Sequence, residues 1–209
     1  MSAEARFDGG QGKMATGALR IALAGNPNCG KTTVFNAYTG ARQHVGNYPG
    51  VTVDRKEGHV RHGNADITLV DLPGTYSLTA YSMEELVARA ELGSGDVQAV
   101  INVVDASALE RNLLLTVQMM EMGLPVVLVC NMMDEARKAG VHIDMERLSA
   151  MMGIPVVSAV ARTGEGLQQA LGEAVRLAGE GRHQVLELNY GADIDEGLRA
   201  MCAIINREG

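Results

Sequence analysis

Near the start of the chain, Gly25-Asn26-Pro27-Asn28-Cys29-Gly30-Lys31-Thr32 has the form G-x-x-x-x-G-K-[ST], the loop that cradles phosphates in backbone N–H groups. Glycine permits the tight turn and the close backbone approach. Lys31 supplies a point charge for β- and γ-phosphates, and the Thr32 hydroxyl supplies a ligand for Mg²⁺. Three further groups could act with it. Asp71-Leu72-Pro73-Gly74 has a carboxylate suited to Mg²⁺, directly or through water, and a Gly74 N–H suited to sensing a γ-phosphate, although D-x-x-G alone is a common turn. Asn131-Met132-Met133-Asp134 ends in a carboxylate that can accept from both N1–H and the 2-amino group of guanine. Adenine has no such donor pair, so Asp134 would select guanine while Asn131 braces the loop; alternatively, the tetrapeptide is an N-cap turn. Ser158-Ala159 would offer a backbone N–H to guanine O6.

These residues need a scaffold that brings them to one place. Leu19 to Ala24 is a short apolar run and reads as a buried strand, with Thr33 to Thr39 as the first turns of a helix. Strand, glycine loop and helix N-terminus concentrate N–H donors and a helix dipole at one point. Gly40 to Val53 reads as a long flexible segment, with Thr52 at its far end. Val53 to Val60 and Asp66 to Val70 read as strands joined by a turn at His62-Gly63-Asn64, hence antiparallel neighbours. Ser82 to Leu92 reads as a helix with a capping box from Ser82 and Glu85. Val97 to Val104, Pro125 to Cys130 and Pro155 to Val157 read as further strands. Ser107 to Met122, Asp144 to Met152 and Gly164 to Leu177 read as the helices between and after them. In the first of these helices Leu109, Leu113, Val117 and Met120 form the expected apolar face, its methionines filling core. Strands alternating with helices predict a mostly parallel sheet covered on both faces, with ligands beyond the carboxyl ends of the strands. Each chemically suggestive group lies at such an end.

Composition narrows the function classes. The 209 residues are 46% apolar, enough for one sizeable core. A net charge of −7 and only 3% aromatics argue against a nucleic-acid partner, which needs a basic face or stacking platforms. The 3 cysteines (Cys29, Cys130 and Cys202) make no C-x-x-C, so neither a disulfide framework nor a zinc site is implied, and a reducing cytosol suits them. The 5 histidines (His44, His59, His62, His142, His183) show no metal spacing, and no iron site is visible. No apolar run reaches the ~18 residues of a membrane span, so this stretch is expected to be soluble. The residues before Ala18 lack the apolar core of a secretory signal and read as a mobile tail. Beyond Leu177, Gly179, Gly181, Arg182 and His183 look like a hinge, and Val185 to Asn189 like a short extended piece. Asp193 to Asn206 has a helical pattern that either packs on the domain or begins a helical region.

In order and spacing, Gly25–Thr32, Thr52, Asp71–Gly74, Asn131–Asp134 and Ser158–Ala159 resemble the G motifs of small GTPases. Within that superfamily, Asn47-Tyr48-Pro49-Gly50-Val51-Thr52-Val53 and Asp71-Leu72-Pro73-Gly74-Thr75-Tyr76-Ser77-Leu78 resemble the FeoB ferrous-iron transporter family, in its cytosolic N-terminal G domain. The likeness runs from about Leu19 to Leu177. It implies an α/β fold of the P-loop NTPase class: a Ras-like G domain with a mostly parallel sheet, one antiparallel strand pair and a short C-terminal helical segment. It also implies a division into a tail over 1–17, a G domain over 18–178, and over 179–209 a linker and the start of a helical domain.

The resemblance implies ligands as well. GTP or GDP would contact the loop from Gly25 through Asn26, Pro27, Asn28, Cys29, Gly30 and Lys31 to Thr32 and Thr33, together with Gly50, Val51, Thr52, Asp71 and Gly74. Its base would meet Asn131, Met132, Asp134, Ser158, Ala159 and Val160. Mg²⁺ would fall to Thr32, Thr52 and Asp71. Lys31, Thr52, Gly74 and Asn28 would serve hydrolysis, and Asn28 would either hold K⁺ as a substitute for an arginine finger or only stabilise the loop. Many GTPases carry a Gln after D-x-x-G; Thr75 stands there and is too short for that work. Slow intrinsic turnover follows, on the order of 10⁻⁴ to 10⁻² s⁻¹. Cys29 reads either as a thiol activated by Lys31 and the helix N-terminus or as a small filler. The partner implied is a membrane permease of the same full-length protein, which places the domain at the cytoplasmic face of the membrane; self-association stays open. Two rival readings remain: an Era-like ribosome-assembly GTPase, against which the acidic balance counts, and a nucleotide-sensing module with incidental turnover.

Overall fold

The computed structural model describes residues 18–40 and 42–181, together with Glu196, Gly197 and Met201. The expected tail over 1–17 and extended piece over 185–189 lie outside the described residues, as does nearly all of the helical pattern over 193–206.

A seven-stranded sheet has the order β2-β3-β4-β1-β5-β6-β7. β1 (Leu19–Gly25) lies at its centre, parallel to β4 (Ala65–Asp71) on one side and to β5 (Ala99–Asp105) on the other. β6 (Val126–Asn131) and β7 (Val156–Ser158) continue the parallel half. Parallel strands are buried on both faces and so read as unbroken apolar runs; Ala99 to Val104 is fully buried throughout. Alternation divides the core in two. Ile21 and Leu23 face a cluster with Val34, Phe35 and Leu171, which belong to α1 (Lys31–Thr39) and α6 (Leu167–Glu180). Ala22 and Ala24 face another with Leu92, Leu115 and Met119, from α2 (Met83–Gly93) and α3 (Leu109–Glu121). Two short helices, α4 (Met133–Lys138) and α5 (Met145–Met152), flank β6 and β7.

The expected hairpin is present as β3 (Asp54–His62) against β4. The segment read as flexible loop differs: Gln43–Asn47 forms β2, antiparallel to β3 at the sheet edge. Every residue of β2 is exposed, so neither face demands apolar side chains and no alternation marks the strand. In α3 the fully buried residues are Asn112, Leu115, Thr116, Met119 and Met120, while Leu109 and Leu113 of the expected face are partly buried against a cluster with Leu128 and Cys130. The face is therefore wider than expected and includes polar residues. Buried Asn102 on β5 donates to Thr116 Oγ1 at 2.7 Å, which satisfies one of them. Met119 and Met120 are core residues, as expected. The hinge reading of Gly179 also gives way, because α6 runs through it to Glu180 and stops at Gly181, whose φ is 84°.

Candidate nucleotide site

β1 delivers Gly25 to the carboxyl edge of the sheet, and the loop that follows turns through left-handed Asn28 (φ 66°) and Gly30 (φ 85°) into α1. A Cβ on Gly30 would lie 2.3 Å from Asn131 Nδ2, so the close approach of these two loops requires glycine there. α1 has no side-chain cap and no acidic residue in its first turn. Its first N–H groups therefore have no intrahelical partner, the condition under which a helix N-terminus accepts an anion. A cleft of about 480 Å³ opens there, lined by Asn26, Pro27, Asn28, Gly30, Lys31, Thr32, Gly74 and Met132. Asn26 is 2% exposed, and neither its Oδ1 nor its Nδ2 has a hydrogen-bond partner among the described residues.

At the end of β4, Asp71 is buried and forms an ion pair with Lys31. The two groups assigned to Mg²⁺ and to phosphate thus neutralise each other within the cleft. Gly74 faces the loop, with Pro27 Cα 3.5 Å from where its Cβ would be. Thr75 is buried, directs its N–H at Gly25 O, 3.4 Å away, and is not among the residues lining the cleft. Thr52 is exposed and also lies outside the lining residues. Its segment is held by Tyr48, which is buried, donates its N–H to Val53 O at 2.9 Å and accepts from the Val51 N–H at 3.3 Å. Gly50 in this turn has φ 77°. Arg55 stacks over the Tyr48 ring at 5.6 Å.

Asn131, at the end of β6, joins the phosphate loop to the opposite loop. Its Nδ2 donates to Cys29 O at 2.9 Å, and its Oδ1 accepts from the Ala161 N–H at 2.9 Å. Bracing is therefore its role in this structure. Met132 follows in the left-handed region (φ 60°) and starts α4, and Asp134 projects from the first turn of that helix. Asp134 accepts from Arg162 at 2.5 Å. The tetrapeptide is thus an N-terminal helix turn as well as a brace.

The Ala159 half of the Ser158-Ala159 expectation needs correction. The Ala159 N–H donates to Cys130 O at 2.8 Å, because the ladder between β6 and β7 continues one residue past the strand. Val160 is buried and its N–H goes to Glu165 O at 3.1 Å, while Ser158 Oγ is buried without a partner among the described residues. Of the two readings of Cys29 the filler holds: it is 1% exposed within the core, and burial pushes its thiol up to about 11 despite Lys31 nearby. Thr33, on the next turn of α1, is exposed. Sequence reasoning missed Arg162 and Tyr48. Arg162 is a single arginine in a Thr- and Gly-rich loop and carries no spacing signal; Tyr48 lies in a stretch whose glycines and proline suggested exposure.

Comparison with known proteins agrees with this geometry. The sequence profile of the family described as Ferrous iron transport protein B matches residues 19–174. A curated relative from Porphyromonas gingivalis, an Fe(2+) transport protein A/Fe(2+) transporter FeoB fusion protein, is 50% identical over 194 residues, covering 91% of this chain and 23% of the relative. The Fe(2+) transporter FeoB of Salmonella typhimurium is 52% identical over 164 residues, covering 77% of this chain and 21% of that protein. The chain thus spans about a fifth to a quarter of the length of these relatives. Among solved structures, a point mutant of S. thermophilus NFeoB bound to GDP superposes with a TM-score of 0.86 at 39% identity, covering 92% of this chain and 74% of that one. The apo cytosolic domain of the T. maritima FeoB iron transporter gives 0.83 at 42% identity, covering 88% and 73%. With its site at the carboxyl edge of a G-domain sheet and this likeness running along most of its length, the chain belongs to the ferrous iron transport protein B family and comprises that family's N-terminal G domain.

Proposed function

We propose that this chain binds guanine nucleotides in the cleft at the α1 N-terminus and hydrolyses GTP slowly, acting as a switch for ferrous-iron uptake through an attached permease. The observation that carries the reading is the double hydrogen bond of Asn131, which fixes the phosphate loop and the Asp134 loop as one unit. A triphosphate tail seated on the uncapped helix start can then have its base beside Asp134. The GDP-bound structure of the S. thermophilus relative supports the same choice of ligand. The G domain would occupy 18–178, with 179–209 leading toward a helical domain.

The donor set fits Mg²⁺: Thr32 on the cleft wall and Asp71 beside it supply hard oxygen ligands. When bound, that ion neutralises phosphate charge. Lys31 would exchange Asp71 for the β- and γ-phosphates, releasing the carboxylate toward the metal. Thr52 would have to move inward from its exposed position to reach the γ-phosphate, and Gly74 would offer it an N–H; loss of that phosphate releases both segments. Among the described residues no Gln lines the cleft, and Thr75 is buried outside its lining. Turnover therefore stays in the unassisted range, on the order of 10⁻⁴ to 10⁻² s⁻¹. Asn28, on the cleft wall, is the proposed K⁺ ligand. The inward placement of Thr75 also favours a second reading, in which occupancy is the signal and turnover is incidental.

Calorimetry with GDP and GTP against ADP and ATP, with and without Mg²⁺, tests the first claim. Guanine nucleotides should bind more tightly than adenine nucleotides, with Asp134→Asn transferring preference to xanthosine nucleotides. Unchanged GTP affinity in that variant would remove Asp134 from the base pocket. Turnover measured in KCl and in NaCl should differ, and Asn28→Ala should abolish the difference. To separate switch from sensor, iron uptake by the full-length transporter is compared for a variant that binds but does not hydrolyse and for Lys31→Ala. Uptake control that survives in the first and fails only in the second means that binding suffices.

A further inference from the structure

Both ends of the Asn131–Asp134 tetrapeptide grip the same loop. Asn131 Oδ1 takes the Ala161 N–H, and Asp134 Oδ2 takes the guanidinium of the next residue, Arg162, at 2.5 Å. The loop is a closed turn: the Val160 N–H donates to Glu165 O and the Gly164 N–H to Val160 O, each at 3.1 Å. Its backbone is therefore fixed beside the start of α4. The Arg162 side chain is 68% exposed and reaches over the surface to a carboxylate that is only 26% exposed. A donor pair such as N1–H and the 2-amino group of guanine engages both oxygens of Asp134, and the Arg162 guanidinium already lies against one of them.

We propose that Arg162 is a built-in competitor for the guanine base. Its guanidinium occupies Asp134 in place of the base's donors and must leave when guanine enters. Tethered close by, it recaptures the carboxylate whenever the base tilts away. Arg162 therefore weakens guanine nucleotide binding and speeds release, while the Asn131 grip on residue 161 stays intact. The inference rests on the reading of Asp134 as the group that selects guanine. An arginine this exposed makes a weak ion pair, so the competition amounts to about two- to fivefold in affinity. Adenine nucleotides make no use of Asp134 and escape it.

The test measures GDP and ADP affinity and GDP dissociation rate for the 209-residue chain and for Arg162→Ala, Arg162→Gln and Arg162→Lys. The Ala and Gln variants should bind GDP about two- to fivefold more tightly, mainly through slower dissociation, with ADP binding unchanged; the Lys variant should stay near wild type. Equal GDP affinity in Arg162→Ala overturns the proposal. So does weaker affinity, which would mean that the guanidinium holds the base, and so does a parallel shift for GDP and ADP, which would mean only a loosened loop. If the wild-type chain itself shows no preference for GDP over ADP, the reading of Asp134 fails and this inference with it. A wild-type preference for GDP that Arg162→Ala leaves unchanged sinks the inference alone.

Discussion

Cys29 and Asn131 show how much depends on where a side chain points. Cys29 sits inside the phosphate loop, yet its thiol is turned into the core, and burial raises it to about 11. Cys130 is likewise buried, and burial raises its thiol to about 12. In a Cys202→Ser background, iodoacetamide at pH 8 should leave the folded chain unmodified and label both thiols once it is unfolded; rapid labelling of Cys29 in the folded state would revive an activated thiol. The sign for stability follows. A thiol raised on folding contributes stability below its ordinary unfolded value, and that contribution is lost as pH climbs toward about 11. Cys29→Ala should flatten the alkaline loss. Asn131→Ala strands two buried backbone groups, Cys29 O and the Ala161 N–H. At about 1–3 kcal/mol per stranded group, denaturant melts should show a destabilisation of about 2–6 kcal/mol. The bracing role of Asn131 was legible in its position after a strand. The inward turn of Cys29 was not, because a residue's type does not say which side of a loop it faces.

Among the elements, α2 illustrates a local rule that the structure extends. Ser82 Oγ accepts from the Glu85 N–H at 3.1 Å, as the capping pattern requires. The Glu85 carboxylate then reaches beyond the helix. It accepts from the Tyr81 N–H at 2.8 Å and from the Ser77 hydroxyl at 2.8 Å, gathering the segment that follows Gly74. These bonds, that from Ser77 first, hold its carboxyl below the usual carboxylate range. A depressed carboxyl contributes above its unfolded value and loses that contribution as pH falls through the lower folded value. Protection of the Tyr81 amide against hydrogen exchange, relative to the intrinsic rate, should therefore fall on the acid side of the carboxylate range, and Glu85→Gln should remove that change in protection. Ser82→Ala should cost about 1 kcal/mol in a thermal melt. Capping is local chemistry and could be read from four residues. β2 could not, since pairing at a sheet edge is decided by β3 and leaves no hydrophobic trace in Gln43–Asn47. The burial of Thr116 in α3 was hidden for a similar reason, because it answers Asn102 on β5.

At the scale of the molecule, the doubly covered parallel sheet was legible because buried parallel strands announce themselves as apolar runs, and helices must join them. The same architecture brings the sequence-distant groups of the site to one edge. What sequence order could not convey is which of those groups already satisfy one another, as Lys31 does with Asp71 and Arg162 with Asp134. The Asn131 amide has a temporal consequence. It ties residues 102 apart on one side and 30 apart on the other, and contacts so distant along the chain close late, after the loop-closure entropy of β1, β5 and β6 has been overcome. In a refolding experiment, helical circular dichroism should return first, and fluorescence from a labelled guanine nucleotide should lag behind it. Competence to recognise a ligand would then report completion of the whole architecture, so that a half-made chain stays silent.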